Sequence, residues 1–356
     1  MFNHLNRQNL KLLWIILAAL LSAACSNAAT LHLVLPQNSG LLTDVAFSPD
    51  GRTIAASTIN RNSSLYLWDS TTGQMLFVQR SPFTNRVAFN PDGRTLATSG
   101  MEAVITFWDA QSGDRLSTLD ALSIPRSDFL YNPIIYLEYS PDGRFLLTAE
   151  GKTWKPYYHD FPNSLWDVES GQLLQRWPET HPYFVFSPDG QFLAVHIYQD
   201  SVGEWIIWSL DPLEEQVTLA DSGSSDYHFP YRYITYSPDS SLIAGWQENH
   251  NTIRFWEANS GKVLYDLTLD GTQTGNRNWY LRGIRFNADG TKILTGDCKN
   301  GLDAWNVADG SHIKRLQLGP KKRWNCFTPN LSPDGSRLVR SDEGVINIWD
   351  LPEEFR

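Results

Sequence analysis

A short turn motif that returns seven times along the chain constrains the fold more than any other feature. Its first copy, at residues 47–51, reads Phe-Ser-Pro-Asp-Gly, and the aspartate of the motif recurs at intervals of 42 to 50 residues. The seven aspartates are Asp50, Asp92, Asp142, Asp189, Asp239, Asp289 and Asp334. Such a sequence suits a tight turn because Pro presets φ, Asp tolerates the next position and Gly closes the turn. Seven copies at a nearly fixed period indicate a repeat architecture.

A tryptophan keeps step with this turn in every repeat. These landmarks are Trp68-Asp69, Trp108-Asp109, Trp166-Asp167, Trp208, Trp256, Trp305 and Trp349-Asp350. Apolar runs flank each turn motif and predict a hairpin of two buried strands. The tryptophan ends a third strand, and a polar turn then leads into a fourth strand whose alternation fits an outer position. Each unit is therefore expected to contain four short strands.

Seven such units resemble the WD-repeat (WD40) family, in a divergent bacterial type with a lipoprotein-like signal peptide. The resemblance covers residues 31–356 and implies an all-β fold, a seven-bladed β-propeller of four-stranded antiparallel blades. A β-sandwich or a β-helix would not explain the period near 45 residues. The aspartate that family members often carry six residues before the tryptophan is kept only at Asp160. The resemblance therefore implies that the family's buried hydrogen-bond network is missing in most blades.

The two ends of the repeat region predict how the ring closes. Only six residues follow Trp349-Asp350, so the last unit lacks its fourth strand, and an apolar run at Leu31–Leu35 precedes the first unit. We expect this N-terminal strand to complete the last blade, which would remove exposed strand edges. The turn motifs and the turns after each tryptophan then share one face, here called the bottom face. The loops between second and third strands and between blades share the opposite, top face.

The first 24 residues differ from the rest of the chain. Arg7 and Lys11 precede an apolar run and small residues, which is the order of a secretory signal. The run at residues 21–25, Leu-Ser-Ala-Ala-Cys, resembles the bacterial lipobox and implies that Cys25 is lipidated. We therefore expect a signal peptide at 1–24, a short tether at 25–30 and the propeller at 31–356. Plain secretion after ordinary cleavage, or an uncleaved anchor, remain alternatives.

The top-face loops are long and rich in aromatic and arginine residues, the usual anchors of protein interfaces. The predicted partner-binding residues are Arg86, Phe129, Tyr131, Tyr136, Trp154, Tyr157, Tyr158, Tyr183, His228, Tyr231, Tyr233, Arg277, Trp279, Tyr280 and Trp324. One position per blade is expected to ring the channel mouth: Asp44, Arg86, Tyr136, Tyr183, Tyr233, Gly283 and Thr328. The alternative is that the aromatic side chains pack on one another and fill the loops.

Chemistry-bearing residues give weaker signals. Export would permit a disulfide between Cys298 and Cys326, and two buried free thiols are the alternative. His159, His181, His228 and His250 fall on predicted top loops, but they lack close metal-ligand spacing, so no metal is expected. No nucleophile elbow, zinc-protease helix or phosphate loop is present in the sequence.

These observations predict a non-enzymatic protein–protein interaction scaffold in the bacterial cell envelope, periplasmic or at the surface. It would bind a protein or peptide partner through the top face, attach to the membrane through a lipid and need no cofactor. The net charge of −10 argues against a nucleic-acid partner, because binding phosphates requires a basic surface. The alternatives are a channel-mouth hydrolase or lyase acting on glycans or peptides, and a soluble periplasmic binder without lipid.

Overall fold

The structure is a computed structural model of the chain. It describes residues 31–34, 41–59, 64–81, 84–100, 103–121, 134–150, 162–178, 180–199, 202–220, 233–247, 252–269, 281–297, 301–318, 330–342 and 345–356. Seven four-stranded antiparallel sheets account for all the described strands. The prediction of an all-β, seven-bladed propeller is confirmed.

Each blade runs from an innermost strand on the central axis to an outer strand. Blades 1 to 3 comprise β2 (Leu41–Phe47), β3 (Thr53–Ile59), β4 (Ser64–Asp69), β5 (Met75–Arg80); β6 (Thr84–Phe89), β7 (Thr95–Gly100), β8 (Val104–Asp109), β9 (Arg115–Asp120); β10 (Ile134–Tyr139), β11 (Phe145–Glu150), β12 (Asn163–Asp167) and β13 (Leu173–Trp177). Blades 4 and 5 comprise β14 (Thr180–Phe186), β15 (Phe192–Gln199), β16 (Val202–Leu210), β17 (Leu213–Thr218); β18 (Ile234–Tyr236), β19 (Leu242–Gln247), β20 (Thr252–Glu257) and β21 (Val263–Thr268). Blade 6 comprises β22 (Leu281–Phe286), β23 (Lys292–Asp297), β24 (Gly301–Asn306) and β25 (His312–Gln317).

Blade 7 joins the two ends of the repeat region. Its strands are β26 (Asn330–Leu331), β27 (Arg337–Asp342), β28 (Val345–Asp350) and, as the outer strand, β1 (Leu31–Val34). β1 pairs antiparallel with β28, so the predicted closure of the ring by the N-terminal strand is confirmed. A short 3-10 helix at Glu353–Phe355 follows, with Phe355 fully buried.

The junction between blades 7 and 1 has additional polar contacts. Arg337 donates to the backbone oxygens of Ser70 and Gly51 at 3.2 and 2.5 Å, and its guanidinium lies over the Phe47 ring. On the channel side, the Asn330 amide donates to the Val45 oxygen at 2.7 Å. The seam between the first and last blades is therefore bonded at both its inner strand and its bottom turns.

The bottom-face turns have the geometry that their sequence predicts. In blade 1 the Ser48 hydroxyl donates to the Asp50 carboxylate at 2.6 Å and accepts the Thr53 N–H at 2.9 Å. The serines that repeat this arrangement are Ser140, Ser187, Ser237 and Ser332. The turn glycines have φ from 67° to 75°, a left-handed conformation that favours glycine. Ser240 adopts the same conformation, with φ 62°, where the fifth copy lacks glycine.

The repeated tryptophans lie between blades. Six of the seven are buried and Trp208 is half-buried. Trp68, for example, packs in one cluster with Phe47 of its own blade and with Leu33 and Ile348 of blade 7. Burying so large an apolar ring stabilises the contact between neighbouring blades.

Three of these tryptophans keep part of a polar network. The indoles of Trp108, Trp166 and Trp305 donate to Thr98, Thr148 and Thr295 on the second strand of the same blade, at 2.8, 3.0 and 2.9 Å. The equivalent positions in blades 1, 4, 5 and 7 are Ala56, Val195, Gly245 and Arg340. Trp256 instead donates to the backbone oxygen of Ala220 in blade 4, at 2.8 Å. The threonine partners were not predicted from the sequence, because the family pattern places an aspartate, and not a threonine, in this network.

Candidate functional site: the central channel

The innermost strands of the seven blades surround a channel that contains two neighbouring cavities. The larger has a volume of about 810 Å³ and extends towards the bottom face, where Pro49, Pro91, Pro141 and Pro333 line it. The smaller, of about 300 Å³, lies on the side of blades 3 to 6. Both cavities share four lining residues: Arg86, Tyr136, Glu138 and Arg285.

A backbone irregularity positions the first ring of channel residues. The pairing register shifts just before Asp44 in β2, Arg86 in β6, Tyr136 in β10 and Gly283 in β22. A β-bulge bends its strand and re-aims the next side chain. The structure places Asp44, Arg86, Tyr136, Tyr183, Tyr233 and Gly283 on the channel wall, six of the seven positions expected from the sequence. The seventh, Thr328, lies outside the described residues.

Strand alternation produces a second ring two residues further along. Its members on the cavity walls are Ala46, Ala88, Glu138, Val185, Arg285 and Asn330. Glu138, Arg285 and Asn330 were not predicted from the sequence. The signal that could have found them is the period of two along a strand, since residues two apart point to the same side.

Asp44 and Arg86 connect the first three blades along the channel. The Asp44 carboxylate accepts the N–H of Val45 at 2.9 Å and, from the neighbouring blade, that of Val87 at 3.1 Å. Arg86 donates to the Thr43 oxygen at 3.2 Å and to the backbone oxygen of Ile135. Burial raises the pKa of Asp44, while the Arg86 charge and the two N–H groups act in the opposite direction.

Glu138 and Tyr136 form a second polar group on blade 3. The Tyr136 hydroxyl donates to the Glu138 carboxylate at 3.0 Å. Burial raises the pKa of Glu138, and the nearby charge of Arg285 partly opposes that rise. The pKa of Tyr136 is also raised, first by burial and then by the negative charge of Glu138. At neutral pH Tyr136 is therefore a hydrogen-bond donor rather than a phenolate.

The wall of the smaller cavity is aromatic on its opposite side. The rings of Tyr183 and Tyr233 meet edge to face with centroids 5.6 Å apart, and those of Tyr136 and Phe184 do so at 4.3 Å. Trp205, which is almost fully buried, also lines this cavity. The channel thus combines charged groups with rings that can pack against an apolar guest.

Of the partner-binding residues predicted from the sequence, the structure brings four together on this wall: Arg86, Tyr136, Tyr183 and Tyr233. The others lie outside the described residues: Phe129, Tyr131, Trp154, Tyr157, Tyr158, His228, Tyr231, Arg277, Trp279, Tyr280 and Trp324. So do Cys25, Cys298 and Cys326, which leaves the lipid anchor and the disulfide as predictions.

In the part of the chain that the structure describes, no group of three or more His, Cys, Asp or Glu side chains is arranged to hold a metal ion. No helix in that part of the chain has the length and apolar character needed to cross a membrane.

Comparison with known proteins agrees with the fold. The model of a family described as eukaryotic translation initiation factor eIF2A matches residues 25–179, which is less than half of the chain. A WD repeat and SOCS box-containing protein 1 from Xenopus tropicalis is 28% identical over 148 residues. That match covers 41% of this chain and 32% of the relative, so the chain aligns with about a third of the relative's length. Together with the seven blades, these matches support a WD40-type propeller.

Proposed function

We propose that this WD40-type propeller is a non-enzymatic protein-interaction scaffold of the bacterial cell envelope, which recruits a protein or peptide partner at its top face. The observation that carries the proposal is the channel wall. There Arg86, Tyr136, Tyr183 and Tyr233 surround open space instead of filling it. Arginine and tyrosine are among the residues that most often anchor protein interfaces.

The envelope location rests on residues 1–25 alone. The signal-like segment and Cys25 support export and attachment through a lipid, with the propeller held close to the membrane by the tether at 25–30. From the matching family model and the Xenopus relative we carry over only the propeller as an interaction module, and not a role in translation or any partner. The net charge of −10 supports a partner other than nucleic acid.

Site-specific crosslinking in the cells that make the protein tests the proposal. A photoreactive phenylalanine analogue replaces Tyr233 at the channel wall, and in a matched control it replaces Tyr265, which is exposed on the outer strand of blade 5. We expect an adduct of defined mass from position 233 that is absent from position 265. No adduct from 233, or the same adducts from both positions, would contradict a partner at the channel mouth.

Replacement of Cys25 by serine tests the location separately. A lipid-anchored protein would move from the membrane fraction to the soluble fraction. Unchanged partition would favour the soluble periplasmic binder without lipid.

One observation favours a second candidate function, an enzyme acting on glycans or peptides at the channel mouth. Glu138 is a half-buried carboxyl with a raised pKa that lies beside a phenol, and such groups serve as general acids. Turnover of a glycan and peptide panel that is lost in Glu138→Gln, or on replacement of Asp44, Arg86 or His228, would support the enzyme over the scaffold.

A further inference from the structure

The hydrogen-bonding capacity of the channel wall is unevenly used. The acceptors are largely occupied: both oxygens of Asp44 accept backbone N–H groups, and Glu138 accepts the Tyr136 hydroxyl. Arg86 donates to three backbone oxygens, those of Ile135, Thr43 and Asn85. The guanidinium of Arg285 is different, because it donates no hydrogen bond to any residue that the structure describes.

Arg285 lies where a guest bound in the channel would contact its side chain. It lines both cavities, on the second ring of the wall. The positive charge of Arg285 acts on Glu138 and on Tyr136. The Arg285 nitrogens nevertheless lie more than 4.0 Å from the Glu138 oxygens, too far for an ion pair. A guanidinium has five N–H donors in a fixed planar fork, so this position leaves a strong donor group facing the cavity.

The balance of charges on the wall also favours a guest with a negatively charged acceptor. The described lining of the larger cavity carries Arg86, Arg285 and Arg340 against Asp44 and Glu138, although the chain as a whole has a net charge of −10. The interior of the channel is thus relatively positive within an acidic protein. A guest that supplies a charged acceptor fits this imbalance, whereas a cationic guest would compete with Arg285 for Glu138.

The size and lining of the smaller cavity limit the guest further. Its volume of about 300 Å³ lies at the lower end of the range for small-ligand sites, which suits one or two side chains. Tyr183, Tyr233 and Phe184 provide rings beside the charged groups. The matching guest therefore has an apolar or aromatic part next to its acceptor.

We propose that the channel recognises a carboxylate of the partner, inserted beside the tyrosines and bound by the fork of Arg285. The carboxylate belongs to an acidic side chain or to a chain terminus that carries an adjacent apolar group. This inference rests on the proposed scaffold function, whose partner it describes more closely.

Three small probes of the same shape test the chemistry on the full chain. They are 3-phenylpropionate, 3-phenylpropionamide and 3-phenylpropylamine, titrated by ligand-observed NMR. A charge-assisted bond to arginine is expected to make the carboxylate bind roughly tenfold more tightly than the amide, with the amine weakest. Equal binding of carboxylate and amide, or tighter binding of the amine, would overturn the proposal without any variant.

Variants then locate the site. Arg285→Gln should remove the preference for the carboxylate, and Arg285→Lys should keep part of it because the charge remains while the fork is lost. Arg94→Gln is the matched control, since Arg94 lies exposed at a bottom-face turn and the variant changes the net charge equally. A carboxylate preference that survives in Arg285→Gln, with a melting temperature like that of the wild type, would place the site elsewhere.

Peptide pairs distinguish the two sources of the carboxylate. One pair is acetyl-Gly-Phe-Glu-Gly-amide and its Gln counterpart, and the other is acetyl-Gly-Gly-Phe as the free acid and as the amide. Preference within the first pair supports a side chain, preference within the second supports a terminus, and preference in neither overturns the proposal. If crosslinking from position 233 captures a partner equally in wild type and Arg285→Gln, the scaffold function stands and this inference fails. If the channel binds the carboxylate probes but no partner is crosslinked from position 233, the carboxylate site stands and the scaffold function fails.

Discussion

The bottom-face turns and the channel wall are made by the same seven innermost strands, only a few residues apart, and they differ sharply in regularity. Five turns repeat the same serine–aspartate hydrogen bonds, and Asn90 and Asn287 replace the serine in blades 2 and 6. The wall varies from blade to blade, with an acid, a base, three tyrosines and a glycine at the six equivalent positions that the structure describes.

The difference follows from what each side chain has to do. A turn residue must satisfy nearby backbone groups in a fixed conformation, so the same residue types recur. A wall residue faces open space, and apart from the contacts that Asp44 and Arg86 make between blades it is not tied to one fixed conformation, so many residue types are compatible with the fold. Positions that the fold leaves free are the ones available for recognition.

The largest expected effect on the free energy of unfolding distinguishes the repeated tryptophans and turns, here called the framework, from the channel wall. Trp256→Ala removes a fully buried ring and its hydrogen bond to Ala220, and should lower the free energy of unfolding by about 3–5 kcal/mol. Tyr233→Ala removes a half-buried ring that packs against Tyr183, and should cost about 1–2 kcal/mol. Equilibrium urea unfolding measures both values. Equal losses would mean that the wall is as structural as the framework.

A series of alanine substitutions tests regularity itself. The turn serines are Ser48, Ser140, Ser187, Ser237 and Ser332, and each loses the same two hydrogen bonds. We expect each alanine to cost about 1–2 kcal/mol, with the five values close together. Alanine at Arg86, Tyr136 and Tyr183 should give widely spread values. Ser117→Ala, on an exposed outer strand, is the control and should lie within about 0.5 kcal/mol of the wild type.

The same contrast explains what the sequence could predict. The turn motif and the tryptophan are constrained by local backbone geometry and by burial, so their repetition is visible in the chain and predicted the fold and the ring closure. The first ring of the wall was predictable from its place in the repeat. Glu138 and Arg285 were not singled out, because their importance arises from groups on other blades, and residues 138 and 285 are brought together only by the closed ring.

Acid titration should act on turn and wall in opposite directions. Hydrogen bonds from Ser332 and Ser336 lower the pKa of Asp334 to about 2 in the folded protein, below the ordinary 3.8, so its stabilisation is present above pH 4 and is lost as the pH falls towards 2. Burial raises the pKa of Asp44, so the folded protein favours the protonated carboxyl. The contribution of Asp44 to folding stability is therefore fully present below pH 3.8 and is lost as the pH rises.

Melting temperatures between pH 2.5 and 7 measure this difference. The stability gap between wild type and Asp334→Asn should shrink on acidification, and it should stay below about 1 kcal/mol because the aspartate is exposed. The gap between wild type and Asp44→Asn should change with the opposite sign. The same sign for both variants would contradict the assignment of Asp44 to a desolvated wall.

The smallest expected effect concerns the one turn motif that lacks the glycine of the repeat. Ser240 has φ 62°, which costs a non-glycine residue about 1 kcal/mol, but its hydroxyl accepts the Asp189 N–H of the neighbouring blade at 3.1 Å, which is worth a similar amount. Ser240→Gly relieves the backbone strain and loses the hydrogen bond, so the free energy of unfolding should stay within about 0.5 kcal/mol of the wild type.

Two further variants separate the two contributions. Ser240→Ala loses the hydrogen bond and keeps the strain, and should be clearly less stable. The reverse exchange, Gly335→Ser, adds strain at a position where the new Cβ would meet only the Ala288 Cβ at 3.9 Å, and should also be less stable. If Ser240→Gly instead costs as much as Ser240→Ala, the contact with Asp189, rather than turn geometry, determines the residue at this position.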